Sequence, residues 1–343
     1  MADIEKLVRE NVLRLAPYSS ARDEFSGKEG IFMDANENPF GDLNRYPDPY
    51  QKELKSIISK IKGMPEEKIF LGNGSDEIID LCFRIFCKPG SDKALTFSPT
   101  YGMYEVSAAV NDIEIIKVPL NSNFQINLPE VLPLLNDENL KLVFICSPNN
   151  PTGNCFRSSD IEMIISSFGG IVLIDEAYID FSESPSFSLM TDRYPNLIVM
   201  QTLSKAMGLA AVRIGMAFTN PGIVKYFNKI KPPYNISTVN QRAALKMLAS
   251  RGKNLKQINK IKHHREKLRV KLLELKITER IFPADANFLL VKVTDATDVY
   301  NSLVEKNIIV RNRTSVVNNC LRITVGKPSE NKVLIKALKS LKL

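Results

Sequence analysis

Between Lys68 and Phe218 the chain alternates short, continuous apolar runs with segments of helical spacing, and this alternation limits the possible folds more than any other feature. The runs are "KIFLG", "KALTF", "EIIKV", "KLVFICS", "GIVLID", "LIVMQT" and "RIGMAF". They are rich in Ile, Val and Leu and lack a polar face, as strands covered on both sides do. Between them, "SDEIIDLCFRIFC", "PTYGMYEVSAAV" and "SSDIEMIISSF" read as helices. Strands and helices in alternation specify an α/β fold with a mostly parallel, here seven-stranded, sheet between helix layers.

The character changes near "TNPGI" and "KPPYNIS". Charged helices follow, then "NFLLVKV", "NIIVRNR" and "CLRITVG", which suggest a smaller α+β domain. A chain of 343 residues is long for one simple core, so two domains are the natural expectation. The large one is expected over 40–234. The small one is expected from 235–343, with the N-terminal segment 1–39 packed against it.

Ligands of a parallel α/β sheet bind beyond the carboxyl ends of its strands. Four of those ends carry polar groups here: "GNGSDE", "PNNPTG", "DEAY" and "LSK". "GNGSDE" (Gly72 to Glu77) is a glycine-rich turn into a helix start, suited either to a phosphate or to ordinary capping. It lacks the third glycine of a dinucleotide fingerprint, and no GxxxxGK[ST] occurs. Asp175 ends an apolar strand, either as a helix cap or as a carboxylate aimed at a cationic ring nitrogen. Lys205 follows another apolar strand, where desolvation would lower its pKa and free the amine as a nucleophile. An amine, a buried acid and a phosphate cradle together are what pyridoxal phosphate requires.

Other chemistries are disfavoured. The two histidines, His263 and His264, adjoin one another in a basic helical stretch, which argues against a Ser-His-Asp or Cys-His enzyme and against a metal site. The five cysteines form no CxxC pair, and three lie in apolar runs, so they read as buried thiols. Much of the net charge of +8 lies between Arg251 and Lys276. There Leu255, Ile258, Ile261, Leu268, Leu272 and Leu275 roughly follow helical spacing, giving a solvated helix face rather than a nucleic-acid surface. No apolar run approaches the roughly 20 residues of a membrane helix. "MADIEKLVRENVLRL" lacks the apolar core of a secretion signal, so a cytoplasmic location is expected.

"SPNNPTG", "DEAY", "SKAMGLAAVRIG" and "CLRITVG" resemble the fold-type I pyridoxal-phosphate aminotransferases, class II. With "PYSSARDEF", "DANENPFG" and "NRYPDP", the chain is similar to their histidinol-phosphate branch from about Val8 to Gly326. The resemblance implies that Lys205 holds the cofactor as a Schiff base and later shuttles the proton. It implies that Asp175 pairs with the ring nitrogen, Asn150 and Tyr178 bond the phenolic oxygen, and Tyr101 stacks on the ring. Ser75, with Asp76 and Glu77 through their backbone, would lie at the phosphate, completed by Ser204 and Arg213. Tyr46 would reach the phosphate of a neighbouring subunit's cofactor, making a homodimer part of the site. Tyr18, Asn36, Arg313 and Arg322 would meet substrate. The implied reaction moves an amino group between L-glutamate and imidazole acetol phosphate, giving L-histidinol phosphate and 2-oxoglutarate, in histidine biosynthesis. An aromatic aminotransferase or a phosphothreonine decarboxylase would show similar blocks. Two departures stand out: Ala211 replaces a common glycine, and the stretch between Arg313 and Arg322 is short.

Overall fold

The computed structural model describes residues 4–18 and 30–341, so residues 19–25 of the "PYSSARDEF" stretch fall outside it. Seven strands form the large sheet: β1 (Ile69–Asn73), β2 (Lys93–Ser98), β3 (Glu114–Pro119), β4 (Leu140–Cys146), β5 (Ile171–Asp175), β6 (Leu197–Thr202) and β7 (Ile214–Thr219). Their order is β1-β7-β6-β5-β4-β2-β3. β7 runs antiparallel to both its neighbours, and the other pairs are parallel. The seven apolar runs are these seven strands.

The two-residue period of each strand splits the core into two layers. Val143 and Ile145 of β4, with Val172 and Ile174 of β5, pack toward α3 (Lys52–Lys62) and α7 (Ser158–Ser167), the helices of Leu54, Ile58, Ile161 and Ile164. Leu142 and Phe144, with Ile171 and Leu173, face the opposite layer. That layer holds α4 (Ser75–Phe86), α5 (Met103–Val110) and α8 (Pro221–Ile230). Phe70 of β1 stacks on Phe227 of α8 at 4.8 Å. Strands covered on both sides carry few polar side chains before their ends, buried Thr96 of β2 being satisfied by Phe144 O, so polar chemistry gathers at the strand ends.

The N-terminal helices α1 (Ile4–Leu7) and α2 (Glu10–Arg14) depart from expectation. Val8 and Val12 are buried in the core of the large sheet, and the Arg9 N–H donates to Ile85 O at 2.9 Å. Burying two valines is worth roughly 1.5–3 kcal/mol each, and the exposed ends of α4 and α8 offer the apolar surface. Beyond Tyr234 the chain continues to pack on the large sheet. Ala244 and Leu248 of α9 (Thr238–Leu248) join the large core beside α3, and the change of layer falls within α10 (Arg251–Leu273). Leu268 and Leu272 of α10 are buried, while Leu255 is 51% exposed and does not belong to the packed face.

The smaller sheet is wholly antiparallel, in the order β10-β11-β9-β8. It comprises β8 (Thr278–Ile281), β9 (Phe288–Val293), β10 (Arg311–Asn312) and β11 (Cys320–Thr324). Leu289, Val291, Leu321 and Ile323 pack under α10, α11 (Ala296–Glu305) and α12 (Pro328–Lys339) through Leu268, Val299, Leu303 and Leu334. Arg322, between Leu321 and Ile323, therefore points away from those helices. "NIIVRNR" contributes only the two residues of β10. A separate cluster of Tyr178, Phe181, Ala206, Ile258, Ala286 and Phe288 joins the two sheets' elements and sets where Arg322 meets the large sheet.

Candidate active site

The carboxyl ends of β4, β5 and β6 place Cys146, Asp175 and Thr202 along one edge of a cleft of about 530 Å³. Asp175, 3% exposed, is the cross-strand partner of Cys146. The Tyr104 hydroxyl donates to its Oδ2 at 2.7 Å, and the Ala177 N–H donates to its Oδ1 at 3.0 Å. Burial pushes its pKa up to about 6, against these two donors and the nearby Lys205 charge. An acid so placed is satisfied yet still has lone pairs facing the cleft.

Lys205 follows β6 in a tight turn. The Ser204 N–H donates to Thr202 Oγ1 at 3.1 Å, and the Gly208 N–H donates to Lys205 O at 3.1 Å. Its Nζ lies 5.7 Å from the centre of the Tyr178 ring. Lys205 is open to the cleft's solvent, yet partial desolvation, followed by the Arg322 charge, holds its pKa below the usual lysine value. Tyr178 is 7% exposed, and burial pushes its phenol up.

The glycine-rich turn lies at the start of α4. Gly74 has φ +80°, and its N–H donates to Arg213 O at 2.9 Å. A Cβ on Gly74 would fall 2.6 Å from Arg213 Nη2, so the guanidinium lies directly over the turn. A Cβ on Gly215 would fall 2.5 Å from Ser75 N, so β7 backs straight onto it. Arg213 is not in a strand, as its surroundings suggested, but at a left-handed position (φ +52°) just before β7. Its partner is Asp76, 3.5 Å away. Asp76 Oδ1 also accepts from the Tyr101 hydroxyl at 3.2 Å. Glu77 turns its carboxylate back to accept from the Asn73 N–H (2.5 Å) and Asn235 Nδ2 (2.8 Å), bracing the turn from outside the cleft. A first helical turn with no side-chain cap, next to an arginine, suits a phosphate.

The opposite wall comes from the smaller sheet. Arg322 Nη1 donates to Asn150 Oδ1, and its guanidinium lies 5.3 Å from the centre of the Phe288 ring. Arg311 is its cross-strand neighbour on β10, and Arg313 lines the same cleft. Arg313 Nε is buried without a hydrogen-bond partner. Burial, then the charges of Arg322 and Arg311, lowers the Arg313 pKa. Three guanidinium groups lining one cleft favour an anion there.

Of the residues named from sequence, Ser75, Asp76, Tyr101, Asn150, Asp175 and Tyr178 line the cleft. So do Ser204, Lys205, Arg213, Arg313 and Arg322. Four others do not. Glu77 is described above. Tyr46 stacks on Tyr234 at 4.4 Å, away from its own chain's cleft. Tyr18 lies 68% exposed in a crevice beside Tyr50 and Lys231, and Asn36 is exposed with φ +53°. Sequence reading missed Tyr104, which lies in the first turn of α5, three residues after Tyr101 in the loop before it. Arg311, two residues before Arg313, also lines the cleft, and the strand pairing places it beside Arg322. An amine, a buried acid, an arginine-backed turn and a ring of phenol and amide donors fit pyridoxal phosphate in type and placement.

The family described as aminotransferase class I and II matches residues 26–338, which defines the class as pyridoxal-phosphate-dependent transaminases. Over 346 residues the chain is 51% identical to the histidinol-phosphate aminotransferase of Parabacteroides distasonis, covering all of both chains. It is 47% identical to that of Cytophaga hutchinsonii over 98% of this chain and 99% of the other. The chain belongs to the histidinol-phosphate aminotransferase family. The fold is shared with the crystal structure of the Sinorhizobium meliloti histidinol-phosphate aminotransferase in complex with pyridoxal-5'-phosphate (TM-score 0.78, 24% identity, 89% of each chain). It is also shared with the L-threonine-O-3-phosphate decarboxylase of Porphyromonas gingivalis (TM-score 0.73, 21% identity, 87% of this chain and 90% of the other). Among the described residues no helix is long and apolar enough to cross a membrane.

Proposed function

We propose that this cleft transfers an amino group between L-glutamate and imidazole acetol phosphate, with L-histidinol phosphate and 2-oxoglutarate as the other pair. The observation that carries the reading is the opposition of two walls. Lys205 and buried Asp175 stand on the large sheet, and Arg311, Arg313 and Arg322 face them from the smaller one. Pyridoxal phosphate, when bound, supplies an electron sink next to the substrate α-carbon. Asp175 would hold a negative charge against the ring nitrogen. Asn150 and Tyr178 would donate toward the phenolic oxygen, and Tyr101 would cover the ring. The first-turn N–H groups at Ser75, Asp76 and Glu77, with Ser204 and Arg213, would take the phosphate.

Lys205 would anchor the cofactor through its Nζ, and the same amine would carry the proton removed from the substrate α-carbon. Its lowered pKa makes the neutral amine available for that transfer. Arg322 holds the substrate's anionic group with a bidentate fork, its rotation limited by Asn150 and Phe288. A site with three arginines accepts a phosphate in one half-reaction and a carboxylate in the other.

The enzyme is proposed to act as a homodimer in the cytoplasm. Ile31, Met33, Phe40 and Leu43 are each at least 67% exposed in one chain, an apolar stretch that a second copy would cover. Tyr46, at the end of that stretch, would then reach the partner's cofactor, and Tyr18 and Asn36 would approach substrate. We place the small domain from within α10 onward, and the large one before it.

The test is a titration of the cofactor-loaded protein with L-histidinol phosphate, L-phenylalanine and L-phosphothreonine in parallel, following the visible band. Conversion at the lowest concentration by L-histidinol phosphate is the expected result. A stronger response to phenylalanine, or carbon dioxide release from phosphothreonine, would refute the assignment.

A further inference from the structure

Tyr104 of α5 is fully buried. Its ring stacks on Phe144 of β4 at 5.0 Å and meets Tyr101 edge-on at 5.6 Å, so it has no freedom to turn. Its hydroxyl ends 2.7 Å from Asp175 Oδ2. Asp175 Oδ1 is held by the Ala177 N–H at 3.0 Å, and the Asp175 carbonyl accepts from the Ser147 N–H at 2.9 Å. We propose that Tyr104 is a positioning residue for transamination: it fixes the plane of the Asp175 carboxylate and supplies its ionised form with an uncharged donor. The inference rests on the reading of Asp175 given above.

The physical need is specific. A carboxylate this deeply buried drifts toward its neutral form, and a neutral acid gives a protonated ring nitrogen little support. A cationic donor would restore ionisation but would cancel the charge meant for the ring. A phenol donates without cancelling it. Tyr104 can do so throughout the working range, because burial and the Asp175 charge hold its own proton in place. The other groups around Asp175 are Asp76 from α4, which opposes its ionisation, and Lys205 from beyond β6, which favours it. Cys146 of β4, Tyr101 and Tyr178 are held neutral by burial. Among the described residues around Asp175, Tyr104 is therefore the side chain that stabilises the carboxylate without a charge of its own.

The test compares pyridoxal phosphate affinity from pH 6 to 9 in the wild type, Tyr104→Phe, Asp175→Asn and the double variant. The phenylalanine preserves the ring stack. It is expected to weaken binding about tenfold near pH 6.5, the worth of one hydrogen bond to a charged group, with the loss narrowing toward pH 8.5 as Asp175 ionises again. Added to Asp175→Asn, it should cost nothing more. A packing role alone would lower the unfolding temperature and leave the pH profile of binding unchanged, and that result overturns the proposal. If Asp175→Asn itself binds like the wild type, the reading of Asp175 fails and this inference with it.

Discussion

Replacing Gly215 by alanine tests whether the turn before α4 is a preformed cradle. The added Cβ would lie 2.5 Å from Ser75 N and 2.6 Å from both the carbonyl carbon and oxygen of Gly74. All three are backbone atoms, so no side chain can swing aside. Reaching an ordinary contact of 3.4 Å means opening the gap between β7 and the turn by about 0.9 Å. The Gly74 N–H bond to Arg213 O, 2.9 Å long, spans that gap. Overpacking costs about 1–3 kcal/mol and a lost hydrogen bond about 1 kcal/mol, so the protein should lose roughly 2–4 kcal/mol. If the same amides hold the phosphate, one or two charge-assisted bonds weaken as well, and cofactor affinity should fall about 10- to 100-fold. Gly169→Ala is the control, since its Cβ would meet nothing within 4 Å. Denaturant unfolding of cofactor-free protein gives the first quantity, and fluorescence titration with pyridoxal phosphate gives the second. A Gly215→Ala variant that unfolds and binds like the wild type would refute the reasoning. A stability loss with unchanged affinity would remove the turn from the phosphate site.

Two further outcomes follow from the geometry. Arg322→Lys keeps the charge but loses the fork and the packing on Phe288, so KM should rise about 10- to 100-fold for both substrate pairs with a smaller change in kcat; equal KM values would remove Arg322 from substrate binding. Glu176, buried beside Asp175 and accepting from Ser186 Oγ, the Phe187 N–H and Gln201 Nε2, is pushed up to about 7 by burial. Its folded pKa lies above the ordinary 4.5, so its contribution to stability is full below pH 4.5 and lost as pH rises through 7, a span worth about 3 kcal/mol. Glu176→Gln should flatten the fall in stability of cofactor-free protein between pH 5 and 7.5; an unchanged slope contradicts that origin.

The sequence made the large sheet legible because its central strands are buried on both faces, so apolar runs and strands coincide there; the edge strand β3 is mostly open to solvent. The same logic singled out Asp175 and Lys205, since polar residues at or just beyond the ends of such runs stand where the strands meet the cleft. It failed where burial is one-sided or local. β8 is a partly exposed edge strand reading "TERI", with no apolar pattern to find. Val8 and Val12 look like one side of any amphipathic helix, and nothing in their spacing says which surface receives them. Arg213 seemed a strand residue because Ile214 follows it, but its left-handed backbone is dictated by the approach of Gly74. Tyr104 escaped notice because its partner lies 71 residues away in sequence. Arg311 was brought beside Arg322 by a strand pairing that no local pattern announces, and it lines the cleft together with Arg313.

The most direct test of the central claim is to reduce the cofactor-loaded protein with borohydride, digest it and locate the pyridoxyl group by mass spectrometry. A single modified peptide carrying the group on Lys205 is the predicted result. The group on any other lysine, or on none, would contradict the account.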